Sequence, residues 1–247
     1  KDKRLLLIIA IVLLGIGIVL TGSRGGLLRL LGVVGFVTLF NLTNKQAKPF
    51  SDEDLEPKSK NKFLLIGASF ALILILFGSV LFLGADSFLM RSTGLASQTD
   101  VSTGRSHFWQ VALQVIRDNP IIGTGLDTFG TAFTKYDTWN GNSRVEQAHN
   151  EYLQILSDAG ILGFICVAAF IFLLFKQSLR MINQTSDRFR WAVAVGALAG
   201  CFGIIIHSFF DFPLRTPANF YFFLMFVVLA TGNIHYPKLY RKRNLAV

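Results

Sequence analysis

Six stretches of the chain are almost wholly apolar: Leu5–Leu20, Gly26–Leu42, Phe63–Gly84, Ala159–Phe175, Trp191–Phe210 and Ala218–Thr231. A helix needs about 20 largely apolar residues to cross a bilayer, and somewhat fewer where flanking side chains snorkel. The pattern therefore predicts an all-α polytopic membrane protein with about six transmembrane helices. The second and last runs are short, and the second carries Arg29. Between the third and fourth runs, Ala85–Asp158 follows a different rhythm. There "GRSHFWQVALQVIRDNP" sets Phe108, Val111, Ala112, Val115 and Ile116 at helical spacing. This predicts an amphipathic helix from about Ser106 to Arg117, stopped by Pro120. "NPIIGTGLDTFG" then reads as a glycine-rich turn. "AHNEYLQILSDAGILG" puts His149, Leu153 and Leu156 on one helix face, with Gly160 and Gly163 permitting close packing where the next run begins. "NKQAKPFSDEDLEPKSKNK" alternates acids and lysines around two prolines and predicts a solvated, flexible linker.

Composition strengthens the membrane reading. Of 247 residues, 52% are hydrophobic and 16% charged, against roughly 25% charged in soluble domains. The net charge of +9 comes in short clusters between apolar runs rather than in one stripe, which excludes a nucleic-acid partner. Lys1, Lys3 and Arg4, the lysines from Lys45 to Lys62, Lys176 to Arg190, and Lys238 to Arg243 all fall on one side if six spans alternate. By the positive-inside tendency that side is the cytoplasm, so both termini are expected there. Thr21–Gly25, the long Ala85–Asp158 loop and Asp211–Pro217 then share the outer face. Cys166 and Cys201 lie within apolar runs and imply no disulfide framework. The chain opens on KDKR and runs directly into an apolar span with no cleavage pattern, which is not a signal peptide. The expectation is a fragment that starts midway through a longer protein.

The polar chemistry gathers on the expected outer side. Arg24 stands among Gly22, Gly25 and Gly26, at the boundary of two spans. It is either an interfacial anchor or an anion ligand, because glycines admit close backbone approach and a guanidinium matches phosphate oxygens as a planar fork. Arg105 precedes the amphipathic helix with the same two readings, and Trp109 is able to sit at the interface, while Arg117 and Arg144 are expected to be solvated. Asp211 and Arg215 can pair to fix the last outer turn. Arg24, Arg215 and His149 converging on one pocket would suit a diphosphate. His149, His107 and His207 lack the spacing of metal ligands. "GTGLDTFG" fails the dinucleotide pattern, and no serine-hydrolase elbow occurs.

"SRGG" at a span end, then "GRSHFWQVALQVIRDNPIIGTGLDTFG", then "AHNEYLQILSDAGILG" resemble, in that order, the C-terminal homology region of the O-antigen ligase and O-antigen polymerase family of bacterial membrane proteins. His149-Asn150, nine residues, Gly160, two residues and Gly163 are similar to its ligase signature. The resemblance covers about Leu5 to Phe175, and the "DFPL" turn more loosely. It implies glycosyl transfer at the periplasmic face of the inner membrane, with Ala85–Asp158 as a long, partly helical periplasmic loop. The donor it implies is a glycan on undecaprenyl diphosphate, and the acceptor a hydroxyl on lipid A core, a growing glycan or a protein, with no metal or nucleotide cofactor. Matched by motif, Arg24 and Arg105 hold the diphosphate and His149 is catalytic at the acceptor. Arg215 is added to the substrate contacts from its place in the outer turn. Asn150 joins them, or else orients the His149 ring, a task open to Glu151 as well. Members usually have more spans, which again predicts a preceding N-terminal half. Some cyanobacterial relatives are labelled bicarbonate transporters, so transport is the alternative. Fixed arginines facing a departing diphosphate favour the transferase, whereas a transporter is expected to break its helices and hold polar groups at mid-membrane.

Overall fold

The computed structural model describes residues 2–21, 23–43, 67, 104–138, 145–185 and 187–232. Apart from Gly67, the third apolar run lies outside the described residues, as do the 44–62 linker, Arg144 and the C-terminal basic cluster. Those described form helices and turns with no strand: α1 (Asp2–Leu20), α2 (Arg24–Thr43), α3 (Arg105–Asp118), α4 (Phe129–Tyr136), α5 (Glu151–Gln184), α6 (Arg188–His207), a 3-10 turn (Pro213–Arg215) and α7 (Pro217–Thr231). Among them Gly25–Thr43, Glu151–Gln184 and Arg188–His207 are long and apolar enough to cross a membrane, and Ile9–Ile18 and Pro217–Thr231 are shorter apolar helices. The architecture is that of an all-α polytopic membrane protein.

Two layers share the described chain. In the first, α6 packs between α2 and α7, burying Ile182, Val195 and Leu198 with Phe36, Phe40 and Trp191 around them. Large apolar side chains such as Leu14, Phe172 and Val228 remain exposed on the outside of this bundle, as expected where lipid, not water, is the solvent. Arg29 of α2 lies against Gly203 of α6. The second layer is a small cap made by α3, α4 and the 145–150 segment. It is closed by Val111, Ala112, Val115, Phe129, Phe133 and Ala148. The α3 bounds fall within a residue of those read from periodicity, and Arg117 is exposed.

The cap joins the bundle through a break in α5. Gly160 sits at φ 62 and ψ −163 inside the helix, a region essentially confined to glycine. The break frees backbone groups, and the 120–125 turn takes them up. Ile161 N–H donates to Pro120 O at 2.9 Å, and Leu162 N–H to Ile121 O at 3.3 Å. In return, Thr124 N–H and Gly125 N–H reach Ser157 O and Asp158 O, each at 2.9 Å. Gly160 is thus a docking point rather than only a small residue in a packed helix. A Cβ at Gly160 would run into the Ile121 carbonyl, and one at Gly123, itself at φ +68, would lie 2.5 Å from Asp158 C. Gly160→Ala is expected to lower the unfolding free energy in detergent by about 3 kcal/mol, from the backbone conformation and the overlap together. Gly196→Ala has no atom within 4 Å of the new Cβ and should be neutral or slightly stabilising. Equal midpoints of thermal unfolding for the two variants would refute this account of the break.

Candidate active site

The N-terminus of α5 is built by its own cap. Asn150 Oδ1 accepts from Tyr152 N–H at 3.0 Å and Leu153 N–H at 3.1 Å, which satisfies two of the free donors of the first turn. Glu151 N–H donates to Ser208 O at 2.9 Å, tying the helix start to the end of α6. His149 therefore precedes the helix instead of sharing its face, and its backbone is left-handed at φ 50. Its neighbour Ala148 is clamped from both sides. The Ala148 carbonyl accepts from Trp109 Nε1 at 3.0 Å, and its N–H donates to Gln154 Oε1 at 2.8 Å. Strain of this kind persists only where the surroundings over-determine it.

So held, the His149 ring lies between Phe108 and Phe212, with centroids 6.1 and 4.9 Å away. Its Nδ1 is 3.1 Å from Asp211 Oδ1. The Asp211 carboxyl sits below the usual carboxylate range. The hydrogen bond from His149 is the main cause, helped by Phe212 N–H and the charge on Arg105, and burial acts in the opposite sense. A depressed folded value means that its contribution to stability is present at neutral pH and is lost as acidification carries the group through that value. An ionised carboxylate only accepts, so the proton of a neutral ring sits on Nδ1 and Nε2 keeps a lone pair. The ring is oriented by Asp211, not by Asn150, whose Oδ1 caps the helix, nor by Glu151.

Arg105 begins α3 and acts electrostatically on Asp211 from across the cap. Arg24 begins α2, and its side chain is outside the described ones. The next residue, Gly25, fixes where that helix end lies: a Cβ there would be 3.0 Å from Phe210 Cβ and 3.3 Å from the His207 ring. The α2 N-terminus, whose Gly26 N–H is capped by Ser23 Oγ at 3.0 Å and whose dipole favours anions, thus abuts the segment that leads into Asp211.

Arg215 faces elsewhere. Its Nη1 is 2.7 Å from Asp127, its Nη2 3.4 Å from Asp158 and its Nε 3.6 Å from Glu151. The expected Asp211–Arg215 pair gives way to these contacts, because Asp211 is engaged with His149 on the α3 side while Arg215 turns toward the α5 break. Gln154, which joins Ala148 N–H to Asp158 Oδ2, went unnoticed in the sequence. A glutamine on a helix carries no local signal of a bond to the preceding loop. Among the described residues, no group of three or more His, Cys, Asp or Glu side chains is arranged to hold a metal ion.

The sequence family described as O-antigen ligase matches residues 9–168. The chain is also 24% identical over 204 residues to an exopolysaccharide production protein, ExoQ, of Rhizobium meliloti (strain 1021). That match covers 77% of the chain and 43% of the relative, so the chain spans less than half the length of this curated relative. No solved structure matches the chain.

Proposed function

Because the chain belongs to the O-antigen ligase family, we propose that it carries the catalytic part of a membrane glycosyltransferase that moves a glycan from undecaprenyl diphosphate to an acceptor hydroxyl at the periplasmic face of the inner membrane. The observation that carries the proposal is the contact of His149 Nδ1 with Asp211 Oδ1; an ionised Asp211 only accepts, so a neutral ring keeps its proton on Nδ1 and its Nε2 lone pair for substrate. In the proposed step, Nε2 takes the acceptor's hydroxyl proton as that oxygen bonds to the anomeric carbon. The bond from this carbon to the diphosphate breaks, and its electron pair leaves with the carrier. Arg105 and Arg24 supply positive charge to the developing anion, and the proposed step calls on no metal or nucleotide. The exopolysaccharide role in the relative's name agrees with a glycan product.

In this reading Asp211 is a positioning residue. Asp211→Asn replaces an acceptor by an amide that can donate to Nδ1 and so favours the wrong tautomer. Transfer in the full-length protein should fall roughly 10²-fold with donor KM little changed, and the pH–rate profile should shift. A variant with unaltered rate and profile would remove His149 from general-base catalysis.

The proposed orientation places both termini and the 43–62 linker in the cytoplasm and 85–158 outside. A cysteine at Asn140 should then react with an impermeant reagent added from outside, and one at Ser59 should be spared; the reverse pattern would overturn the assignment. The break in α5 is a feature that transporters share. Here it adjoins the polar cap at one end of the apolar run, and the 120–125 turn engages Ser157 O, Asp158 O and the N–H groups of Ile161 and Leu162. It offers no ion a backbone ligand from those groups, which favours the transferase.

A further inference from the structure

A cavity of about 680 Å³ opens beside Arg215, within the size range of pockets that enclose small organic ligands. It has two kinds of wall. Ala159 and Val167 of α5 give an apolar side, and Asp127, Gln147, Asp158 and Arg215 a polar one. Its polar wall is short of donors. Gln147 Oε1 and Asp158 Oδ1 are buried with no hydrogen-bond partner, as is Oε1 of Glu151, which reaches the same guanidinium. The Asp158 side chain is only 4% exposed, and a buried acceptor without a donor is costly enough to be rare in folded proteins. Arg215 directs its contacts to other oxygens, Asp127 Oδ1, Glu151 Oε2 and Asp158 Oδ2, and reaches none of these three.

We propose that this cavity is a sugar-binding subsite in which the Gln147 and Asp158 side chains turn toward the ligand and glycan hydroxyls donate to Asp158 Oδ1 and Gln147 Oε1, distinct from the ground between Arg105 and the α2 N-terminus where diphosphate would bind. The wall itself discriminates. A sugar ring brings several O–H donors, together with C–H edges that suit the apolar side. A diphosphate at neutral pH brings acceptors and negative charge to a site where three carboxylates already surround one arginine. The subsite is also tied to the catalytic histidine. Gln154 bonds both Asp158 Oδ2 and the Ala148 N–H, so a ligand that settles Asp158 steadies the backbone that carries His149. The inference rests on the glycan-transfer reading for the identity of its ligand.

The test uses the full-length protein in nanodiscs, titrated with three probes: oligosaccharides hydrolysed from the host's own envelope polysaccharide, inorganic diphosphate, and ethanolamine. Gln147→Leu and Asp158→Asn should each weaken oligosaccharide binding about 5–10-fold, the loss of one buried hydrogen bond, and leave diphosphate affinity unchanged. Gln147→Leu guards against misfolding, because Gln147 Oε1 makes no internal bond to lose. The subsite is overturned if the wild type binds no oligosaccharide, if both variants bind it as the wild type does, or if they lose diphosphate or ethanolamine instead. The two readings separate through His149→Ala. Full transfer by that variant, with oligosaccharide binding still sensitive at Gln147, removes the catalytic reading and keeps the subsite. Lost transfer, with binding insensitive at Gln147 and Asp158, does the reverse.

Discussion

Replacing His149 by alanine is expected to cut glycan transfer by about 10²–10⁴-fold, the usual worth of a positioned general base, while donor binding and expression are retained. The geometry gives this loss a specific origin. Asp211 fixes the ring through Nδ1, Phe108 and Phe212 flank it, and the clamped Ala148 leaves little freedom in the backbone behind it. Alanine at this position also keeps a backbone at φ 50, where it lacks the polar side chain that makes histidine and asparagine commoner in the left-handed region. His149→Asn separates the two effects, because asparagine tolerates the left-handed region yet cannot take up a proton. Transfer should collapse in His149→Ala, His149→Gln and His149→Asn alike when assayed with a lipid-linked donor, and thermal unfolding should be least affected in His149→Asn. Full activity in any of the three would return the ring to a structural role.

The largest stability effect is expected at Arg215. Its side chain is 28% exposed, but two of its partners, Glu151 and Asp158, are 10% and 4% exposed. Removing the cation strands both carboxylates in a poorly hydrated site, and breaking a buried pair from one side typically costs about 3–5 kcal/mol. Arg215→Ala should therefore lower the midpoint of unfolding sharply, and Asp158→Asn on top of it should recover part of the loss, a coupling that a double-mutant cycle measures. Arg215→Lys should rescue only partly, since a point charge cannot reach three carboxylates as the fork does. Donor KM should be little altered in whatever folded Arg215 variant survives. A normal midpoint with weakened donor binding would instead make Arg215 the substrate contact that its place in the outer turn led us to expect.

The sequence by itself determined what depends on neighbours along the chain. Apolar runs of spanning length, the α3 periodicity and the stop at Pro120 are local matters. Helix formation is decided by spacing, caps and breakers within a few turns, and bilayer burial by summed hydropathy. These sufficed for an all-α membrane fold, and "SRGG", "GRSHFWQVALQVIRDNPIIGTGLDTFG" and "AHNEYLQILSDAGILG" in that order sufficed for the family. Tertiary structure decided the pairings. Asp211 meets His149 from 62 positions away, where the sequence offered only nearby Arg215, Asn150 and Glu151 as partners for either residue. Gly160 had the look of a small packing residue. Its break is intelligible only beside the 120–125 turn, which takes up the N–H and carbonyl groups that the break exposes. Likewise Arg215, legible as a charge on an outer turn, acquires its three carboxylates from α5 and from Asp127, which that turn brings near. Each of these contacts depends on how helices far apart in the chain are set against one another, and periodicity carries no information about that.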